Sequence, residues 1–325
     1  MEQIIVNKLK EKKLADTSIK FYLRNLQKLN NDEPIKNLRF LFNYKNIVEK
    51  LNNIKLNTRK NYLISIVSVL NCFVKDNALI EKLCYKYYKL MKETSQEQRD
   101  KPTEELTETQ KKNWIEWDEV VKVWETLNNE ALKYFKKRTL TEKQYNLLLT
   151  FVILSLYVKI PPRRNQEWQC MFIKNILTSN DTNEKNYLLW EKQQLIFNKY
   201  KTAKTHKQQI YNIPEELKQC LILYLKHHPI VKGKITNKTN THLLLYYNKE
   251  PLTQVNAITR ILNKLFKKNI GSSLLRHIFL TDKYGDENKE REEISRAMGH
   301  TERTQHEYIK NVEPKEKKEY IISFD

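Results

Sequence analysis

Phosphate-handling side chains recur along the second half of this chain in an order that suits attack on a phosphodiester. Pro161-Pro162-Arg163-Arg164 runs into Asn165-Gln166-Glu167; far downstream come Leu275-Arg276-His277, then Met298-Gly299-His300, then Tyr308. A guanidinium stays charged at any ordinary pH and offers paired N–H donors to phosphate oxygens. A phenol, with an ordinary pKa of about 10, becomes a nucleophile once its proton is withdrawn. Two arginines, a histidine and a tyrosine therefore suffice to open a phosphodiester without a metal ion. Lys201 and Lys204, within Tyr200-Lys201-Thr202-Ala203-Lys204-Thr205-His206-Lys207, add candidate proton donors for a departing alkoxide.

Taken singly, each of these residues also has a plainer reading. Glu167 lies three positions after Arg164, within helical reach, and that spacing also describes an ordinary surface ion pair. A turn with so many lysines is what a solvated loop looks like. A histidine behind Gly299 commonly serves as a structural hydrogen-bonder, and Tyr308 is one of 18 tyrosines.

Elements must bring these residues together. Tyr145 to Val158 is the most hydrophobic helical stretch and is expected at the centre of a domain, with the arginine pair leaving its end through two prolines. Ser272-Ser273 reads as a helix start with a serine cap, which puts Arg276 one turn inside. Short β-type runs at Tyr187-Leu188-Leu189-Trp190, Leu195-Ile196-Phe197 and Ile210-Tyr211-Asn212-Ile213 predict a small antiparallel meander whose turn carries the lysines. Pro214 opens the next helix. Helices then continue, with breaks expected near Gly233, Gly271, Gly285 and Gly299.

Residues 1 to about 92 read as helices only. Ile19, Tyr22, Leu23 and Leu26 share one helical face, while Lys20, Arg24 and Lys28 recur on another. A second helix is expected after Asn57-Thr58, with Thr58 as cap and Arg59 and Lys60 in its first turn. Positive charge there opposes the helix dipole, so Arg59 and Lys60 are candidates for contact with a polyanion, as are Lys20, Arg24 and Lys28 on their shared face, a solvated face being the alternative. The polar stretch 93–112 is the expected linker between a domain at 1–92 and another at 113–325, which opens with Trp114, Trp117, Val120, Val121 and Trp124 at helical spacing.

Lys and Arg exceed Asp and Glu by 59 − 39 = 20 over 325 residues, and the excess is dispersed through helical patterns rather than gathered in a tail. That balance predicts a folded polyanion-binding protein, although AT-rich coding also inflates lysine. Cys72, Cys84, Cys170 and Cys220 have no CxxC spacing and read as buried thiols of a reducing, intracellular compartment. The longest apolar run, Leu147 to Val158, is too short to span a bilayer, and no signal-peptide core opens the chain, so no membrane partner is expected.

The ordered set as a whole resembles the tyrosine recombinase (phage-type integrase) family: Arg-x-x-Glu after a hydrophobic helix, a hairpin lysine, Leu-Arg-His, Met-Gly-His, and a tyrosine behind it. The resemblance extends over nearly the whole chain, and Pro-Pro-Arg-Arg-Asn and Leu-Leu-Arg-His-Ile-Phe-Leu-Thr look most like integrases of large DNA viruses, virophages and related mobile elements. It implies a mainly α fold with a small β-meander: a helical core-binding domain, then an α+β catalytic domain. It further implies that Arg164 and Arg276 are the catalytic arginines, Tyr308 the nucleophile and His300 the histidine that tunes proton transfer. Lys204 would be the hairpin acid with Lys201 in reserve; Arg163 is the reserve for Arg164, and Glu167 and His277 are supporting positions. The activity implied is cleavage and rejoining of double-stranded DNA through a 3′-phosphotyrosine, with neither ATP nor metal as cofactor, by four copies on two synapsed duplexes, in a host cytoplasm or nucleus.

Two departures from the family's pattern stand out. Ser273 occupies the position where the family usually has histidine, and the spacing from Gly299-His300 to Tyr308 is one residue shorter than is common. The first removes a proton-exchanging group; the second bears on whether cleavage occurs within a subunit or in its neighbour. A type IB topoisomerase, with the same chemistry, and a DNA-binding module with weakened catalysis are the alternatives.

Overall fold

The computed structural model of the protein describes residues 1–100, 106–179, 181 and 184–297. His300, Tyr308 and the whole Met298-Gly299-His300 phrase lie outside the described residues. The chain divides into two compact units, with the division in sequence between Leu106 and Thr107.

The first unit is helical: α1 (Glu2–Glu11), α2 (Asp16–Leu29), α3 (Tyr44–Asn52), α4 (Leu56–Leu70) and α5 (Ala78–Asp100). Apolar residues at helical spacing, among them Ile5, Leu9, Ile19, Leu26, Ile66 and Leu70, are buried in one core, with α4 packed against both α2 and α5. Inside it the Asn25 amide donates to Ser65 Oγ at 2.9 Å and the Tyr87 hydroxyl to the Leu41 carbonyl at 2.8 Å, so neither buried polar group is orphaned. Two expectations are corrected here. The helix α4 begins at Leu56 with Lys55 as its cap, so Thr58 lies inside the first turn. Helix also enters the stretch expected as a linker, since α5 continues to Asp100 and α6 spans Glu108–Asn113. Apolar periodicity fades after Leu90 and Met91, but Gln96, Glu97, Gln98 and Arg99 are good helix formers. Gln98 also bonds across to Asn57 Oδ1 at 2.6 Å.

In the second unit α6 is followed by α7 (Trp117–Leu132), α8 (Glu142–Val158), α9 (Asn165–Gln169), β1 (Met171–Lys174), β2 (Asn186–Leu189), β3 (Gln194–Phe197), α10 (Ala203–His206), β4 (Gln209–Asn212), α11 (Glu215–Lys226), β5 (Thr241–His242), α12 (Ala257–Phe266) and α13 (Ser272–Ala297). The helix α8 starts in a reciprocal cap, Gln144 N–H to Thr141 Oγ1 at 3.3 Å and Thr141 N–H to Gln144 Oε1 at 3.1 Å. Its side chains are buried all round, from Leu148 and Phe151 to Leu156 and Tyr157, as an apolar helix must be when α7, α11 and α12 enclose it. Among the described residues no helix is long and apolar enough to cross a membrane.

The sheet is larger and less regular than the expected meander. Its order is β4-β3-β2-β1-β5, antiparallel except for the parallel pair β1 and β2, in which Met171 faces Asn186 and Lys174 faces Leu189. Four residues of β1 inside an apolar run carry no alternation to announce a strand, and β5 is two residues long. The expected break at Gly285 does not occur, since α13 runs through it from Ser272 to Ala297.

His228, wholly buried beyond α11, is neutral by construction. Its Nδ1 accepts the backbone N–H groups of Ile230 and Val231 at 3.3 and 3.2 Å, so the ring proton sits on Nε2 and is donated to the His242 carbonyl at 3.1 Å. Burial pushes its pKa from 6.5 down to about 4. The unfolded chain therefore binds the proton first as pH falls, and the stability this histidine contributes is whole above about 6.5 and lost towards 4, on the order of 3 kcal/mol in total. Thermal melts across that window should show the loss, and His228→Gln, which cannot titrate, should flatten the dependence; an unchanged slope would contradict the assignment.

Candidate functional site

Beyond α8 the helix is not continued, because Pro161 and Pro162 supply no N–H and disfavour the helical conformation at Ile160. Arg164 emerges in extended conformation (φ −72, ψ 144) as the N-cap of α9. The turn is fixed by Asn165. Its Oδ1 accepts the Tyr157 hydroxyl at 2.6 Å, its Nδ2 donates to Thr259 Oγ1 of α12 at 2.8 Å, and its backbone N–H reaches Ser272 Oγ of α13 at 3.4 Å. Ser272, expected as a cap of its own helix, is instead its first residue and serves α9. One asparagine thus ties the end of α8 to the helix that carries Arg276.

Glu167, in the first turn of α9 and almost wholly buried, meets two guanidiniums. Arg163 Nε lies 2.6 Å from Glu167 Oε2, and Arg164 Nη1 lies 3.7 Å from Oε1. The expected Arg164–Glu167 pair is present, but the shorter contact belongs to Arg163. Arg163 is further committed: its Nη2 donates to Gln209 Oε1 at 2.9 Å, and its guanidinium stacks 3.8 Å from the Phe197 ring centroid with Tyr200 and Tyr211 near it. Arg164 keeps 37% of its side chain exposed towards the cavity beside its longer contact with Glu167.

Arg276 comes to the same place from α13, with Nε donating to the Ser272 carbonyl at 3.2 Å. Burial first, and then the neighbouring Arg164 charge, pull its pKa below the ordinary arginine range, with Glu167 acting in the opposite direction. Burial, with Glu167 near it, raises the Tyr157 phenol, so Tyr157 remains a neutral hydrogen-bond donor. Arg163, Arg164, Glu167 and Arg276 line one cavity of about 290 Å³ together with Tyr200, Thr202, His206 and Gln209. Three cations face one carboxylate there, which leaves an uncompensated positive site suited to an anion.

The connection between β3 and β4 is anchored at its root by the buried Asn186. Its Oδ1 accepts the N–H groups of Asn198 and Lys199 at 2.9 and 2.8 Å, while its Nδ2 donates to the Glu167 carbonyl at 2.9 Å. The connection contains the short helix α10 rather than a simple turn. Lys201 and Lys204 are exposed and do not line the cavity, whereas His206 at the end of α10 does. His206 belongs to no motif in the sequence; its place among the lysines is the signal that marks it. Ser273 and His277, on α13, are exposed outside the cavity lining. In the first unit Lys20, Arg24 and Lys28 are exposed on α2, Arg59 is half-buried with its Nε unbonded among the described residues, and Lys60 donates to Gln98 Oε1 at 2.9 Å. Among the described residues no group of three or more His, Cys, Asp or Glu side chains is arranged to hold a metal ion.

No protein-family profile matches the chain, and no curated protein matches it. A solved structure, the crystal structure of XerA recombinase, is similar at 13% identity over 94% of this chain and 91% of that one, with a TM-score of 0.33.

Removing Glu167 leaves two adjacent guanidiniums without counter-charge, one of them largely enclosed. Glu167→Ala should lower the stability of the second unit by on the order of 3 kcal/mol, whereas Arg164→Ala should cost under about 1 kcal/mol because its side chain is partly solvated. Urea denaturation compares the two, and equal costs would show that Glu167 does not hold the pair.

Proposed function

We propose that this protein is a DNA strand-transfer enzyme of the tyrosine recombinase type, with Tyr308 as nucleophile. The observation that supports it is the convergence of Arg164 and Arg276, from opposite sides of the sheet region in sequence, on one cavity with a surplus of positive charge. Such a site suits a phosphodiester, whose attack adds negative charge to oxygens that are already anionic. Arg164 and Arg276 grip the two non-bridging oxygens. Arg163 holds Glu167, and Glu167 steadies Arg164. The Tyr308 oxygen bonds to phosphorus as the bond to the 5′-oxygen breaks; the phenol loses its proton, and the 5′-oxygen gains one. The 3′-phosphotyrosine keeps the ester for rejoining when a 5′-hydroxyl attacks in reverse, so neither ATP nor metal is consumed.

His300 and Tyr308 take these roles from the order of residues in the sequence. Lys204 and Lys201 remain proton donors by that same order, and His206 joins them as a titratable side chain of the β3–β4 connection that lines the cavity. The basic faces of α2 and α4 serve as DNA contacts of the first unit, and four copies on two synapsed duplexes, moving a viral or other mobile element, complete the proposal. Ser273 contributes a hydroxyl where a proton-exchanging ring is usual, which predicts that more of the proton traffic falls to His300 or His206.

A suicide DNA substrate, which traps the covalent intermediate, tests this directly. The wild-type protein should form a protein–DNA adduct and Tyr308→Phe should bind without forming one; an adduct that persists in the variant would remove Tyr308 as nucleophile. With sulfur in the 5′-bridging position the leaving group needs no proton. Whichever of Lys204→Ala, Lys201→Ala and His206→Gln is slow on oxygen and rescued on sulfur identifies the donor.

A further inference from the structure

A second basic cavity lies at the other end of α8. It occupies about 740 Å³ where the connection between α7 and α8, the turn after α11 and the loop at Tyr247–Lys249 come together. Lys136, Lys137, Arg138, Lys226, Lys232 and Lys249 line it, and among the described residues no carboxylate does. None of the six forms an ion pair with a carboxylate among the described residues; Lys226 Nζ donates to the Phe135 carbonyl, which fixes its charge at the rim. The cavity shares no lining residue with the arginine cavity. Tyr145 lines this groove near the start of α8, and the arginines follow the helix's other end. At 1.5 Å per residue, Tyr145 to Val158 alone separates the two by roughly 20 Å.

We propose that this groove is a second phosphate-backbone site, which holds a stretch of duplex nucleic acid other than the one at the arginine cavity. That the other duplex is a cleavage substrate rests on the proposed function; the charge of the groove does not. Six cations spread over three chain segments in an open trough do not form a cage for one small anion. They suit a ligand whose charges repeat densely, and duplex DNA carries one about every 1.7 Å of axis. An acidic peptide would need a carboxylate at nearly every residue to match it. The aromatic ring of Tyr247, 45% exposed, and Leu140 give the trough an apolar floor against which sugar faces can pack.

The test is fluorescence anisotropy of a plain duplex across a salt series with the full chain. The triple change Lys136→Gln, Lys137→Gln, Arg138→Gln removes exposed charges from one wall of the groove. It should reduce the slope of log affinity against log salt by roughly two to three, and weaken binding at low salt by about tenfold or more. A matched triple, Lys122→Gln, Lys192→Gln, Lys264→Gln, removes equal charge from exposed positions elsewhere and should leave the slope near wild type. An unchanged slope in the groove variant, or an equal fall in both, would overturn the proposal. So would poly-glutamate that binds the wild type more tightly than duplex does and loses binding in the groove variant. Suicide-substrate trapping runs in parallel: absence of an adduct in the wild type counts against the strand-transfer reading, while the salt slope still reports on the groove.

Discussion

One buried carboxylate, Glu167, holds two consecutive arginines in different states, and the cavity depends on that division. Arg163 takes the short contact and is closed in by Gln209 and by the Phe197, Tyr200 and Tyr211 rings. Arg164 takes the longer contact and stays half-open to solvent. A buried carboxylate with a single partner would be neutralised by it; with two, the site keeps a net positive charge while Glu167 itself remains compensated. The like charges of Arg164 and Arg276 are tolerable for the same reason, since Glu167 offsets part of their repulsion.

The rest of the second unit can be understood as a means of presenting that cluster. The helix α8 is buried along most of its length; two prolines end it, and Asn165 bonds the resulting turn to Tyr157, Thr259 and Ser272. Arg276 leaves the first turns of α13, whose start is held by that last bond. Asn186 performs the corresponding task for the sheet, linking the carbonyl of Glu167 to the root of the β3–β4 connection. Neutral, hydrogen-bonded amides position charged groups here without adding charge of their own, which keeps the field in the cavity that of the arginines.

Local pattern carried much of this. The strongly apolar α8, the helices of the first unit, the strands β2 and β3 and the Arg164–Glu167 spacing are each visible in a few residues, because burial and helical reach are local consequences of sequence. What escaped was set by distant partners. Arg163 takes the nearer place at Glu167 because the aromatic rings that enclose it arrive from the sheet. His206 lines the cavity because α10 coils a segment that composition alone marks as a solvated turn. The strand β1 exists through its neighbours β2 and β5, and the polar end of α5 persists on helix propensity after its apolar stripe stops. The basic groove at the start of α8 gathers cations from three segments that no sequence motif connects.

The central claim is that Arg164 and Arg276 act by neutralising a phosphate. DNA in which a methyl group replaces one non-bridging oxygen at the cleaved linkage removes the charge they would meet while preserving the bond that breaks. Cleavage rates of Arg276→Ala on this neutral linkage and on the natural one, each relative to wild type, give the most direct measurement. Charge neutralisation predicts that the variant's defect shrinks by about tenfold or more on the neutral linkage. An equal defect on both would contradict the claim and leave Arg276 as a structural residue only.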